Sequence, residues 1–102
     1  MNKILSYLGF AKKANQLSSG HVVLDAVRAN RAKLVIVAED TSDRSKKQLQ
    51  DKCRYYHVPC YVVLSSEEIS QAIGRNNIKT VSINDTNFAS AVLKEIERNE
   101  VD

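Results

Sequence analysis

The sequence predicts an α/β fold: a three-layer α/β/α sandwich with a mixed sheet between two layers of helices. Three observations carry this. Short β-rich runs at Leu34–Ala38, Cys60–Leu64 and Thr80–Ile83 alternate with segments of helical periodicity. The run Leu34-Val35-Ile36-Val37-Ala38 contains no polar residue, as a strand covered on both faces requires. The chain also opens with a helical pattern instead of a strand, which favours a mixed sheet over a wholly parallel one.

The first helix is expected over about residues 2–15, where Ile4, Leu8 and Ala11 recur at helical spacing. Lys12 and Lys13 fall in its last turn, where the helix dipole favours cations. Ser18-Ser19-Gly20 reads as a breaker with capping residues. A second helix follows over about 20–31, with Val23, Ala26 and Val27 as its apolar stripe and Arg28 and Arg31 outward. After the first strand, Thr41 or Ser42 caps a third helix at about 43–56. Its apolar positions are Leu49, Cys53 and Tyr56, and Arg44, Lys46, Lys47, Lys52 and Arg54 make its other faces basic. His57-Val58-Pro59 stops it, because a residue before proline avoids the helical region.

The second strand, Cys60–Leu64, leads to a fourth helix opened by Ser65 or Ser66. Ser65 and Glu68 have capping-box spacing. Ile69, Ala72 and Ile73 form that helix's apolar face, and Gly74 ends it. Arg75-Asn76-Asn77 is a loop and Thr80–Ile83 a short strand. Asp85, Thr86 and Asn87 offer caps for a last helix at about 86–99, with Phe88, Val92 and Ile96 on one face.

The chain's 102 residues suit one domain. A chain of this length buries roughly two thirds of its unfolded surface, enough for a core without staples. No apolar run approaches the ~20 residues that span a bilayer, and the first residues lack a signal peptide's unbroken apolar core. The expectation is a cytoplasmic protein without membrane contact. Cys53 and Cys60 match no zinc spacing and read as small, mostly buried thiols in a reducing compartment. Neither His21 nor His57 is near a paired carboxylate in sequence, so no hydrolytic triad is suggested. No metal, cofactor or small-molecule substrate is expected.

Glu39 and Asp40 end an apolar strand, where layered α/β folds place ligand sites. A phosphoryl-transfer centre would also need a lysine or acid at another strand tip. The second strand ends in Ser65-Ser66, and the three glycines are isolated. The pair therefore reads as a strand-to-helix junction, its carboxylates beside the positive end of the third helix, and no enzyme is expected.

Charge is unevenly placed. Residues 1–55 carry eleven Lys/Arg against five Asp/Glu; residues 56–102 carry four against seven. A basic half on a small domain favours a polyanionic partner. An acidic second half also suits a protein-interaction module on the same fold, the alternative reading.

The segments LGFAKKANQLSSG (8–20), AKLVIVAED (32–40), CRYYHVPCYVV (53–63) and SSEEISQAIG (65–74), in this order and at these distances, resemble the ribosomal protein family that binds kink-turn RNA. The resemblance is to its bacterial YlxQ-like branch in particular and covers about residues 4–97. It implies a four-stranded sheet and an RNA contact surface built from the start of the second helix and the loop after the fourth. The family motif there is a glycine followed by Asn-Glu-x-x-Lys. Only the glycine matches, as Gly20; Val22 and Asp25 stand where the glutamate and lysine would be. Val22 cannot accept hydrogen bonds from base edges, and Asp25 would repel phosphate, so recognition of a standard kink turn does not follow.

The resemblance and the charge pattern together give the candidate RNA-binding residues: Lys12, Lys13, Ser19, Gly20, His21, Arg28, Arg75, Asn76, Asn77 and Ile78. In this expectation the cations contact phosphate, the helix amides cradle it, Arg75 stacks or pairs, the asparagines read base edges and Ile78 caps a flipped base. The expected partner is structured RNA, ribosomal or kink-turn-like, bound by a monomer. The basic third helix is a further candidate contact to ribosomal RNA.

Overall fold

A computed structural model describes residues 2–101, with side chains to residue 98. The elements are α1 (Lys3–Lys13), β1 (Leu17–Ser19), α2 (Val22–Arg28), β2 (Leu34–Val37), α3 (Asp43–Tyr55), β3 (Cys60–Val62), α4 (Ser66–Ile73), β4 (Thr80–Ile83) and α5 (Thr86–Val101). The strands form one mixed sheet in the order β1-β4-β2-β3. β4 is antiparallel to both its neighbours, and β2 and β3 are parallel. This is the α/β/α sandwich the sequence predicts.

The alternation of β2 divides the interior. Leu34 and Ile36 enter a core with Ile4, Leu8, Ile69, Val92 and Ile96, so α1, α4 and α5 cover that face. Val35 and Val37 enter a second core with Val23, Val27, Leu49 and Cys53, under α2 and α3. All four β2 residues are buried, which is why the run tolerates no polar side chain.

One strand is missing from the pattern-based reading. Leu17–Ser19 is β1, paired to β4 with Leu17 opposite Ile83 and Ser19 opposite Val81. Its residues are half-buried and two are serines, so it shows neither alternation nor an apolar run. Pairing with a buried neighbour makes it a strand, and the breaker reduces to Gly20.

Helix ends depend on left-handed residues more than on glycine. Asn15 (φ 59°), Asn30 (φ 60°) and His57 (φ 60°) follow α1, α2 and α3, while Gly74 (φ 69°) ends α4. Asparagine and histidine reach this region more readily than other side-chain-bearing residues. The predicted capping box is present: Ser65 Oγ accepts from the Glu68 amide, and Glu68 Oε1 accepts from the Ser65 amide. Of the two candidate caps for α3, Ser42 serves, its Oγ accepting from the Ser45 amide at 3.3 Å. Thr41 is buried, with Oγ1 unpartnered among the described residues.

Cys53 is buried and Cys60 half-buried, and no disulfide joins them. A hydrogen bond to Cys60, together with burial, pushes the Cys53 thiol far above its ordinary value; the same bond holds Cys60 below it.

Candidate nucleic-acid interface

The register brings four chain segments to one end of the sheet. β1 ends there at Ser19, opposite Val81; β4 begins there at Thr80, opposite Val37; β2 and β3 end there side by side at Val37 and Val62. The turn into α2, the loop before β4 and the junctions into α3 and α4 therefore converge.

Gly20 opens the turn into α2 with φ +71°, a conformation that costs most side chains about 1–2 kcal/mol. Its amide donates to the Thr80 carbonyl at 3.0 Å, and Thr80 Oγ1 donates to the Gly20 carbonyl at 3.3 Å. The Gly20 amide is thus committed to the fold. What the residue offers a ligand is close approach, since a Cβ built there meets nothing within 4 Å. His21 follows, exposed and in the helical region, without a side-chain cap bond.

The loop between α4 and β4 is anchored at both ends. The Arg75 amide donates to the Ser70 carbonyl at 2.9 Å and the Ala38 amide to the Lys79 carbonyl at 2.8 Å. Between these, Ser70 Oγ accepts from the Ile78 amide at 2.8 Å and donates to the Ile78 carbonyl at 3.3 Å. Arg75, Asn76 and Asn77 stay exposed and border a recess of about 480 Å³ with Ser66, Glu67, Ser70 and Gln71. Asn77 takes φ 57°, which turns the chain back toward the sheet. Ile78 is half-buried and packs on the larger core, so less of it is free to cap a base than of the residues before it.

Asp40 does not serve α3 as the sequence suggests. It reaches across to α4, accepting from the Ser66 amide at 2.8 Å and from the Ser66 hydroxyl. These bonds, the hydroxyl first, hold its carboxyl below the usual range, and the Lys79 charge adds to the effect. Asp40 therefore ties β2 to α4. Beside it the Glu39 amide donates to the carbonyl of Leu64 at 2.8 Å, and Leu64 sits at φ 69°, a strained value for leucine. Among the described residues, no group of three or more His, Cys, Asp or Glu is placed to hold a metal ion.

Seven of the ten candidate residues belong to the two segments that Gly20 and Thr80 join at this end: Ser19, Gly20, His21, Arg75, Asn76, Asn77 and Ile78. Three stand elsewhere. Lys12 and Lys13 close α1 ahead of Gln16, whose carbonyl accepts from the Asn84 amide at the far end of β1. Lys13 instead lines a groove between α1 and α4 with Phe10 and Gln71. Arg28 lies in the last turn of α2, roughly 10 Å from that helix's start. Val22 is 38% exposed, and Asp25 is exposed in the first turn of α2. Sequence reasoning missed Thr80, Ser70 and Lys79, which fix the two loops by contacts that no local pattern signals. The charge at this end is mixed: exposed Arg75 and Lys79 stand with exposed Glu39, Asp40 and Glu67.

The chain is similar to known proteins over most of its length. A model of the ribosomal protein L7Ae/L30e/S12e/Gadd45 family matches residues 2–100. The chain is 38% identical over 96 residues to the RNA-binding protein YlxQ of Enterococcus faecium, covering 93% of this chain and 92% of that one. It is 37% identical over 87 residues to the RNA-binding protein YlxQ of Bacillus subtilis (strain 168), covering 84% and 87%. Among solved structures it is similar to a protein of unknown function from Bacillus halodurans C, with a TM-score of 0.91, 34% identity and coverage of 95% and 99%. The Giardia lamblia 15.5kD RNA binding protein shares the fold, with a TM-score of 0.79, 20% identity and coverage of 97% and 86%.

Proposed function

Because the chain belongs to the ribosomal protein L7Ae/L30e/S12e/Gadd45 family, we propose that it binds structured RNA and catalyses no reaction, with the RNA seated where Gly20 meets the loop before β4. The observation that carries this reading is the pair of hydrogen bonds between Gly20 and Thr80, which makes the α2 turn and the α4–β4 loop one rigid edge. The YlxQ proteins of Enterococcus faecium and Bacillus subtilis, whose names describe RNA binding, support the partner class.

In this reading Gly20 lets the RNA backbone approach the protein closely. Arg75 and Lys79 neutralise phosphate, and Asn76 and Asn77 reach base edges exposed in a bulge or loop. Glu39, Asp40 and Glu67 discourage binding to an arbitrary polyanion, so shape does more here than bulk charge. The proposed RNA is ribosomal or kink-turn-like, read without the Asn-Glu-x-x-Lys set, and bound by a monomer in the cytoplasm, where both thiols stay reduced.

Crosslinking followed by sequencing of the bound RNA, in the native chain and in Gly20→Ala and Gly20→Asn, tests this. Both variants add a Cβ to the open face, but asparagine tolerates the left-handed conformation better. Loss of the RNA in both variants, with the asparagine form stably folded, is the expected result. An unchanged RNA yield in both, or capture of a protein partner in its place, would favour the protein-interaction reading.

A further inference from the structure

We propose that the outer face of α3 is a second RNA-binding surface, on which Tyr55 stacks an unpaired base while Arg44, Lys47 and Arg54 contact the adjoining phosphates. The proposal rests on the RNA-binding reading above but uses a different face of the protein.

Residues 44, 47, 51 and 55 recur at spacings of three or four along α3, and Arg54, three beyond Asp51, lies beside them on the same stripe. Leu49 and Cys53 are buried on the other side. The stripe runs roughly 16 Å from Arg44 to Tyr55. Asp51, the acid at its centre, lies between Lys47 Nζ at 3.2 Å and the Arg54 guanidinium at 3.7 Å, with the two cationic side chains 78% and 80% exposed, while exposed Asp43, four residues before Lys47, stands at the start of the stripe. Exposed pairs of this kind are weak, so both cations are available to phosphate at little cost.

Tyr55 is the second feature, and folding does not account for it. It is 75% exposed, more than Phe10 or Val22, the other exposed large apolar residues among those described. Its ring meets Tyr56 edge-on, with centroids 4.9 Å apart and an interplanar angle of 78°. Tyr56 packs on the core beneath α3, so Tyr55 is held in orientation with a face left open. An oriented aromatic ring at the end of a row of cations is the chemistry that single-stranded RNA requires, since stacking is available to every base. α3 also begins at the sheet end that carries Gly20, because it follows the end of β2.

The test is fluorescence anisotropy of the full chain with a labelled single-stranded oligouridine of about 12 nucleotides, within the site sizes such surfaces use. Tyr55→Ala is expected to weaken binding by about fivefold or more, and Tyr55→Phe to keep nearly all of it because the ring remains. The triple variant Arg44→Ala, Lys47→Ala, Arg54→Ala is expected to flatten the salt dependence by about two units of slope. Three results would overturn the proposal: no oligouridine binding by the native chain at low salt, equal affinity in native and Tyr55→Ala, or an acidic polypeptide that binds the face with the same dependence on Tyr55. A folded cellular RNA that depends on Gly20 yet is indifferent to Tyr55 would also overturn it, while leaving the sheet-end reading in place.

Discussion

Gly20 and Thr80 hold each other across sixty residues of chain, the amide of Gly20 donating to the Thr80 carbonyl and Thr80 Oγ1 donating to the Gly20 carbonyl. Thr80→Val keeps the shape and the first bond but removes the second. The expected loss is about 0.5–1.5 kcal/mol, which a thermal melt reads as a fall of several degrees for a domain of about 100 residues. Affinity for the captured RNA should fall as well, because the turn is no longer locked to the loop. A melt shift with no change in RNA affinity would separate the lock from binding.

Ser70 is the buried anchor of the α4–β4 loop. Ser70→Ala leaves the half-buried Ile78 amide without its hydroxyl acceptor, at a cost of about 1–3 kcal/mol. Hydrogen exchange should show the loss confined to residues 75–79, with α4 protected as before. An equal increase in exchange across α4 would mean that Ser70 supports the helix and not the loop.

Asp40 gives the fold an acid-sensitive tie. Its bonds to Ser66 hold the carboxyl below its ordinary value of 3.8. A group lowered in this way contributes fully above the unfolded value, and that contribution is lost as pH falls through the folded one. Urea midpoints taken downward from about pH 6 should therefore show an extra decline below about pH 4 in the native chain. Asp40→Asn should lack that increment, and parallel curves for the two proteins would contradict the assignment.

Lys12 and Lys13 stand at the far end of β1 from Gly20, so they are expected to act as outlying phosphate contacts. With roughly four phosphates neutralised apart from any along α3, log affinity should fall against log salt with a slope near −3. Replacing both lysines with alanine should reduce that slope by about 1.5 and leave the melt unchanged, since both are exposed. An unaltered slope in a gel-shift titration would mark them as merely solvated.

What the sequence makes legible depends on how local the cause is. β2 is readable because burial on both faces leaves room for apolar residues alone. For the same reason Ile36→Ala, at a position with no exposure, should cost about 2–5 kcal/mol in a denaturant titration. The Ser65–Glu68 capping box is readable because its partners are three residues apart. β1 is not, since its pairing with Val81 and Ile83 replaces any pattern of its own. The tie from Asp40 to Ser66 spans 26 residues and that from Gly20 to Thr80 spans 60, so neither leaves a local trace. Arg28 and the lysine pair look like neighbours of Gly20 along the chain, but α2 and β1 carry them away from it.

The strand order has a consequence in time. β4 lies between β1 and β2, yet it is the last strand to be synthesised. Until residues 80–83 emerge from the ribosome, β1 has no partner and one edge of β2 stays open, so the nascent chain carries an unfilled gap at the centre of its sheet. Insertion of β4 closes that gap and brings Thr80 to Gly20 in the same event, so the proposed RNA seat completes only when the sheet does.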